Sequence, residues 1–339
     1  MAVSRTWAPA ENQQETNLKL MKFAPVLAVV ALATGLADAQ EVFPSRPITI
    51  VVPYPAGGTS DVQVRMFQAQ LGKELGQPIV VENKPGASGL IAAQYVAKAR
   101  PDGYTLLYPN NGVLISPMLN PKSGLDPLKD FRPVSLVTSV PMVLVSSKLV
   151  PATNLAEFIA YAKKQPGGIQ YASAGTASYG HLATARFSQM AGLTVDHVPY
   201  KGEAATTMAV RSGEVQMLMT TPSAAMLGQV ADGNLTMLGV ASAKPSPVVP
   251  GVPTIDKVVP GFVSEVWFGL LAPAGTPDEV VQKLNGAVRK VMAEDGMRAR
   301  LLPTGAVPET STLAEFASLM ARETAQWRDI IDKYKIKAD

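Results

Sequence analysis

The sequence predicts an α/β protein of two lobes, with a cleft between them and two strands that cross from one lobe to the other. Three observations support this prediction. Strand, helix and strand patterns alternate along most of the chain, which is typical of parallel sheets. Several strands end in glycine- and hydroxyl-rich turns ahead of a helix. The chain has 339 residues, of which 47% are hydrophobic, and this is enough for two cores.

The first segment is predicted to be a secretory signal peptide covering residues 1–39. Two lysines, Lys19 and Lys22, precede the apolar run FAPVLAVVALATGLADA, which ends in a small-x-small pattern. We therefore expect cleavage after Ala39 and a periplasmic location. An uncleaved anchor is the alternative, although the run is short for a membrane span. Whether translation starts at Met1 or Met21 stays open.

Composition removes several classes of function. The chain has no cysteine, which excludes disulfides, thiolate zinc sites, iron–sulfur clusters and a cysteine nucleophile. It has two histidines, which leave little for a metal site, and we expect neither a metal nor a cofactor. A net charge of +3 without a dense basic run argues against a nucleic-acid partner.

The first predicted α/β unit comes directly after the predicted signal peptide in the chain. Residues 47–53, 78–83 and 104–109 have the composition of strands. Between the first two strands, apolar residues recur at helical spacing from Val64 to Leu75, and Gly76 supplies a helix stop. A second helix is predicted for 90–99. This order predicts βαβ units in a parallel sheet.

The middle of the chain repeats the pattern. Predicted strands lie at 140–147, 169–175, 194–202, 215–221 and 235–242, and predicted helices at 155–164 and 179–191. The strands at about 134–146 and 264–272 are predicted to cross between the lobes. Two later helices, 278–292 and 313–334, then return to the first lobe. The predicted domains are 44–139 plus 268–339 for lobe one and 140–267 for lobe two.

Four strand-end loops have the composition of anion sites. They are YPAGGTSD (54–61), ENKPGASG (82–89), YASAGTASYGH (171–181) and PYKGEAA (199–205). Helix N-termini offer unpaired N–H groups and a partial positive charge, which favours an anion such as a carboxylate. Two interpretations compete with ligand binding: the glycines only form tight βα turns, and Asp61 only caps its own helix.

An enzyme is the weaker interpretation. The sequence has neither a phosphate-binding P-loop nor a nucleophile-elbow motif. Ser178 and His181 lie three positions apart and form the one candidate for a catalytic dyad. We expect His181 instead to donate to a ligand oxygen or to cap its own helix. His197, inside a strand pattern, is predicted to be structural. Tyr54, Tyr179 and Tyr200, beside the loops, are candidates for lining the cleft.

Taken together, these motifs resemble the Bug family, the TctC-like periplasmic substrate-binding proteins of tripartite tricarboxylate transporters. The resemblance rests on YPAGGTSD, GQPIVVENKPGASGLIAAQYVAKARPDGYTLL, YASAGTASYGHLA, VPYKGEAATT, SGEVQ and WFGLLAPAGTP, and covers about 43–339. It implies a non-enzymatic two-lobed binding protein of the flytrap type, with a type II-like fold. It also implies a small carboxylate ligand, large and small membrane transporter subunits as partners, and a monomer. A sensor role beside a signalling kinase is the alternative.

The resemblance also carries site residues. It implies that main-chain groups and hydroxyls from Tyr54 to Thr59 hold the ligand on one side, with Ser173, Gly175 and Ser178 opposite. Family members that bind amino acids often have an aspartate where this chain has Thr220. We therefore predict a mono- or dicarboxylate without an amino group. The predicted ligand-binding residues are Tyr54, Ala56, Gly57, Gly58, Thr59, Asp61, Ser88, Asn110, Ser173, Gly175, Ser178, His181, Tyr200 and Thr220.

Overall fold

The computed structural model describes residues 1–2 and 42–337. Beyond Ala2, the predicted signal peptide and its cleavage position lie outside the described residues. Within the described part, no helix combines the length and the apolar character needed to cross a bilayer. Residues from Pro44 onward form one compact unit, which contains both lobes.

The first lobe is built on a six-stranded mixed sheet. Its strands are β1 (Ile48–Val52), β2 (Ile79–Asn83), β3 (Thr105–Leu107), β4 (Phe131–Pro141), β10 (Glu265–Pro273) and β11 (Val307–Pro308), in the spatial order β11-β4-β10-β3-β1-β2. β1 pairs in parallel with β2 and β3, as the βαβ pattern predicts. β10 is antiparallel to β3 and β4, because it enters the sheet on its return from the second lobe.

The second lobe has its own five-stranded sheet. Its strands are β5 (Val143–Ser147), β6 (Ile169–Ser173), β7 (Val195–Pro199), β8 (Met217–Thr220) and β9 (Leu235–Val240), in the order β7-β6-β8-β5-β9. β6 is parallel to β7 and β8, whereas β5 is antiparallel to β8 and β9. The carboxyl ends of β6 and β8 therefore lie at the same edge, where ligands bind in open α/β sheets.

Helices connect most of the strands and pack against both sheets. They are α1 (Thr59–Leu75), α2 (Leu90–Ala97), α3 (Gly112–Leu119), α4 (Pro127–Asp130), α5 (Leu155–Lys163), α6 (Tyr179–Ala191), α7 (Glu203–Ser212), α8 (Ala224–Ala231), α9 (Asp278–Met292), α10 (Asp295–Leu301) and α11 (Leu313–Tyr334). α1 ends as predicted at Gly76, whose φ of 73° is left-handed and lets its N–H reach back to the last turn. Val64, Phe67 and Leu71 of α1 are buried on the sheet.

The two sheets meet at a narrow junction. β4 ends at Pro141 and β5 begins at Val143, so the chain changes sheet at Met142. Three hydrogen bonds connect this point to the return segment. Met142 N donates to Ser264 O at 3.1 Å, Ser264 N to Ala241 O at 2.7 Å, and Ala241 N to Met142 O at 2.8 Å. The predicted crossing strands pair with each other as β4 and β10, which confines the crossing to this short junction.

The C-terminal helix α11 packs against both lobes. It begins with a capping box between Thr312 and Glu315, and its bounds confirm the predicted helix. Trp327 and Ile330 are buried in a cluster with Ile115 from the first lobe and Leu182 from the second. α3, α4, α8, α10 and β11 were not predicted, because segments this short give weak periodicity.

Candidate functional site

A cleft of about 670 Å³ lies between the two lobes. The first lobe contributes Tyr54, Ala87, Ser88, Leu90, Asn110, Asn111, Gly112, Ile115, Ser116, Leu119 and Asn120. The crossing strands and the second lobe contribute Met142, Ala174, Thr176, Ala177, Ser178, Tyr179, Gly180, Glu203, Thr206, Leu218, Met219, Thr220, Thr221 and Val266. This size and mixed lining suit a small organic ligand.

On the first-lobe side, a fixed amide faces the cleft. Tyr54 Oη donates to Asn110 Oδ1 at 2.6 Å, and Gly112 N donates to the same oxygen at 2.9 Å. Both lone pairs of Oδ1 are then used, so the Nδ2 group of Asn110 is what remains to donate to a ligand. Burial raises the pKa of Tyr54 to about 12, which keeps its hydroxyl protonated as the donor. A Cβ on Gly112 would lie 2.8 Å from Asn110 Oδ1, so a larger residue there would displace the Asn110 amide from this position.

On the second-lobe side, the N-terminus of α6 lines the cleft. Ser178 is its N-cap, and the Ser178 Oγ accepts from His181 N at 3.3 Å. Tyr179 and Gly180 form the first turn, where main-chain N–H groups lack intrahelical partners and carry partial positive charge. A Cβ on Gly180 would lie 2.9 Å from the Met219 carbonyl oxygen, so glycine permits the close approach of α6 to β8. This wall can hold an anion with neutral donors.

The cleft walls contain unusual backbone conformations. Among the described residues, four non-glycine residues have positive φ, and three of them, Ala87, Ser88 and Ala177, line the cleft. Their φ values are 46°, 53° and 61°. Non-glycine residues in this region carry strain, which concentrates at functional sites and must be held by surrounding contacts.

The loop 173–178, called the serine loop below, is held from behind by a histidine pair. The rings of His181 and His197 stack with centroids 3.7 Å apart. His181 Nδ1 accepts from Ala177 N at 3.1 Å, and Ser173 Oγ lies 2.6 Å from His197 Nε2. Burial, and then the neighbouring His197, lower the pKa of His181 to about 4, so its ring is neutral and can accept at Nδ1.

The loop 54–58, called the glycine loop below, is closed by a carboxylate of its own chain. Asp61 Oδ2 accepts from Gly57 N at 2.9 Å, and Arg65 Nε lies 3.0 Å from both carboxylate oxygens. Asn83 Nδ2 donates to Asp61 Oδ1 at 3.0 Å. These donors, the Arg65 guanidinium above all, lower the pKa of Asp61 to about 2. The Gly57 N–H is therefore already hydrogen-bonded to an anion of the protein itself, the Asp61 carboxylate.

The two walls are tied to the interlobe junction through one carbonyl group. Glu265 O accepts from Asn111 Nδ2 of the first lobe at 3.0 Å and from Tyr179 Oη of the second lobe at 2.9 Å. Glu265 is the first residue of β10 and follows the junction residue Ser264. Ser264 Oγ also donates to Tyr179 Oη, at 3.2 Å. One lining side chain from each lobe, Asn111 and Tyr179, is thus hydrogen-bonded to the start of β10 next to the junction.

The comparison with protein families agrees with this architecture. Residues 63–336 match the model described as the tripartite tricarboxylate transporter family receptor, TctC. The chain belongs to this family. The BugT protein of Bordetella pertussis is 30% identical over 319 residues, which cover 93% of this chain and 98% of BugT.

Two solved structures from Rhodopseudomonas palustris are similar to this TctC-family receptor. Rpa4515 with adipate is 34% identical, with a TM-score of 0.67, covering 87% of this chain and 99% of Rpa4515. MatC with bound malate is 34% identical, with a TM-score of 0.64, covering 85% of this chain and all of MatC. The receptor is therefore an α/β two-lobed periplasmic binding protein, as predicted. Its class is that of periplasmic solute-binding receptors.

Five of the predicted site residues line the cleft of this TctC-family receptor. They are Tyr54, Ser88, Asn110, Ser178 and Thr220. The structure brings them together from both lobes.

The other predicted site residues lie outside the lining. Ala56, Gly57, Gly58, Thr59 and Asp61 form the glycine loop and the start of α1. Ser173, Gly175 and His181 lie within or behind the serine loop, where Ser173 Oγ donates to Gly175 O at 2.8 Å. Tyr200 Oη donates to Glu214 Oε1 at 2.8 Å, away from the cleft. Their direct contact with a ligand stays a prediction.

Several lining residues were not predicted. Asn111 and Gly112 follow β3 in the turn signal Asn-Asn-Gly at a strand carboxyl end, which was a usable signal. Glu203 and Thr206 lie on the first turn of α7. Glu203 belongs to the fourth loop that the sequence analysis named, 199–205, and Thr206 directly follows it. Among the described residues that line the cleft, Glu203 is the only one with a formal charge. The described residues contain no cluster of three or more potential metal ligands.

Proposed function

We propose that this receptor captures a small carboxylate without an amino group and delivers it to the large and small membrane subunits of a tripartite tricarboxylate transporter. The observation that carries the proposal is the cleft itself, where neutral donors from both lobes face each other. Asn110 Nδ2 and the first turn of α6 provide N–H groups without a buried counter-charge. Such groups bind a carboxylate through hydrogen bonds and the helix dipole.

The related structures support a carboxylate. Rpa4515 is recorded with adipate and MatC with malate, and both are about one third identical to this chain over most of its length. Neither ligand has an amino group. In this chain the hydroxyl of Thr220, at the end of β8, lines the cleft at the position where, as the family resemblance implies, receptors for amino acids often carry an aspartate.

We further propose that lobe one (44–139 and 268–339) and lobe two (140–267) close on the ligand as a hinge. The junction at Met142 and Ser264 consists of two chain crossings, which is typical of hinged binding proteins. Closure is driven by contacts that a ligand makes with both walls at once. A ligand bound between Asn110 and α6 would do so.

The hydrogen bonds of Ser178 and His181, the candidate catalytic dyad, also support binding rather than catalysis. Ser178 Oγ accepts from the main-chain N–H of His181, and His181 Nδ1 accepts from Ala177 N. The serine therefore caps a helix and the imidazole holds a loop. Incubating malate or adipate with the protein and following both by NMR should return the acids unchanged; a new product would favour the enzyme interpretation.

The direct test is a calorimetric titration of the mature chain with malate, adipate, succinate, hexanoate, aspartate and glutamate. We expect at least one of the four acids without an amino group to bind, and to bind tighter than both amino acids. Tighter binding of aspartate or glutamate than of all four would overturn the ligand class. No binding heat and no thermal shift with any of the six would count against a carboxylate receptor.

A further inference from the structure

Among the described residues of the cleft wall, the one charged side chain lies beside the end of β8. Glu203 is the first residue of α7 and follows Gly202, whose φ is 91°. Thr221 Oγ1 donates to Glu203 Oε1 at 3.3 Å, and Thr206 Oγ1 donates to the Glu203 carbonyl oxygen at 2.7 Å. The Thr221 contact places the exposed Glu203 side chain beside the end of β8, where Thr220 and Thr221 also line the cleft.

An acidic residue in the first turn of a helix has a common structural role. Its charge complements the partial positive charge of the helix N-terminus. That role explains an acid at this position on any helix, but it does not require the side chain to line a ligand cleft. Glu203 does line it, and the described part of the lining contains no lysine, arginine or histidine to offset its charge.

The dimensions of the cleft make this charge relevant to every ligand in it. A cavity of 670 Å³ is about 11 Å across if taken as a sphere. Glu203 is exposed, so its charge acts mainly on ligand groups that come within about one Debye length of it, ~8 Å at physiological ionic strength. A ligand that extends from the α6 N-terminus to the end of β8 places its other end within this range, because Glu203 accepts from Thr221 beside that strand end.

We propose that Glu203 selects against a second carboxylate. The receptor then takes a monocarboxylate whose far end is uncharged and carries a hydrogen-bond donor such as a hydroxyl. This inference rests on the proposed function and narrows it. A distal hydroxyl can donate to the Glu203 carboxylate or to the Thr220 and Thr221 oxygens, whereas a distal carboxylate has no proton to donate and meets a like charge.

The test compares ligands that differ only in the far group. Calorimetry measures adipate against 6-hydroxyhexanoate and succinate against 4-hydroxybutyrate, for wild type, Glu203→Gln and Asp232→Asn. The Asp232 control removes one negative charge from an exposed residue of the same lobe at the far end of α8, outside the cleft lining. Glutamine at 203 keeps the acceptor for Thr221 and removes the charge.

We expect wild type to bind the hydroxy acid of a pair roughly five- to tenfold tighter than the diacid. Glu203→Gln should remove most of that difference by improving diacid binding, while Asp232→Asn should preserve it. If wild type prefers the diacids, or if the ratio is the same in Glu203→Gln and wild type, Glu203 does not select by charge, although a carboxylate receptor would still stand. If none of these acids binds to any variant, the proposed function fails and this inference fails with it.

Discussion

The glycine loop and the serine loop have similar sequences but different relations to the cleft. Both follow a parallel strand and precede a helix, and both combine glycine with hydroxyl residues. In the glycine loop, the Gly57 N–H goes to Asp61, and only Tyr54 lines the cleft. In the serine loop, Ala174 and the residues from Thr176 to Ser178 line the cleft, and the lining continues into the first turn of α6.

The difference teaches how a chain can use one motif in two ways. An anion-binding turn needs its N–H groups to be unoccupied in the folded protein. Asp61, two residues into α1, supplies the anion from within the first lobe. The serine loop instead uses neutral acceptors, Ser173 Oγ and His181 Nδ1, for the N–H groups of Gly175 and Ala177. The second lobe therefore keeps its positive helix end available to a ligand.

The largest expected effect comes from Gly180→Ala, which alters the serine-loop side. The new Cβ would lie 2.9 Å from the Met219 carbonyl oxygen, so the start of α6 must move away from β8. We expect carboxylate affinity to fall roughly tenfold or more, with a loss of ~1–3 kcal/mol in the free energy of unfolding. Calorimetry and urea denaturation measure both.

Gly286→Ala in α9 is the matched control for Gly180→Ala. Position 286 has open space around it, and alanine in a helix interior stabilises by ~0.5–1 kcal/mol relative to glycine. Its ligand affinity should match wild type. Equal affinities for Gly180→Ala and Gly286→Ala would show that the approach of α6 to β8 does not shape the site.

The second expected effect is a pH dependence from His181. Its pKa is about 4 in the folded protein, below the usual value of 6.5, so the unfolded chain binds more protons between these values. Stability is then fully present above about pH 6.5 and falls by ~2–3 kcal/mol as the pH approaches 4. Urea denaturation across this pH range measures the loss of stability. Calorimetric titrations at the same pH values measure carboxylate affinity.

His181→Asn removes the titration and retains an acceptor for Ala177 N. We expect its stability to vary less than that of wild type between pH 6.5 and 4, and its affinity at pH 7.5 to stay near the wild-type value. Parallel stability curves for the two proteins would mean that the histidine does not hold the serine loop through its neutral ring.

The sequence predicted the sheets and the major helices better than the site. Strands such as β1 and the amphipathic α11 carry strong local patterns, and the structure has them where the patterns indicate. The use of each loop depends on partners that are distant in sequence. In the glycine loop, Asp61 accepts from Gly57 N, and Asn83, 22 positions further along the chain, donates to the Asp61 carboxylate. Tertiary packing therefore decides that this turn is occupied. The His181–His197 stack likewise joins a helix and a strand that no local pattern relates.

The third prediction concerns Asp61→Asn on the glycine-loop side. The pKa of Asp61 is lowered to about 2 from the usual 3.8, so its stabilisation is present above about pH 4 and is lost as the pH falls towards 2. We expect the variant to lose ~1–2 kcal/mol at pH 7, because Arg65 is half exposed and solvent screens the pair. Urea denaturation should show a smaller difference in the free energy of unfolding between wild type and Asp61→Asn at pH 2.5 than at pH 7.

The carboxylate affinity of Asp61→Asn tests whether the glycine loop contacts the ligand. If Asp61 only closes its own loop, the carboxylate affinity of Asp61→Asn should stay within about twofold of the wild-type value. Such a difference corresponds to only a small change in the free energy of binding. Asp232→Asn, on the protein surface, should change neither quantity. A large loss of affinity at unchanged stability would place the glycine loop in direct contact with the ligand, as the family resemblance implies.

The smallest expected effect comes from Tyr54→Phe, which removes the one side chain that the glycine loop contributes to the cleft lining. The change deletes the donor to Asn110 Oδ1, but Gly112 N still donates to that oxygen at 2.9 Å and keeps the amide oriented. We therefore expect a loss of about threefold in carboxylate affinity, at the lower end of what one hydrogen bond contributes. Tyr95→Phe, on the exposed face of α2, should have no effect in the same titration. A loss for Tyr54→Phe as large as that for Gly180→Ala would mean that the hydroxyl itself contacts the ligand, and that both lobes contribute equally to binding.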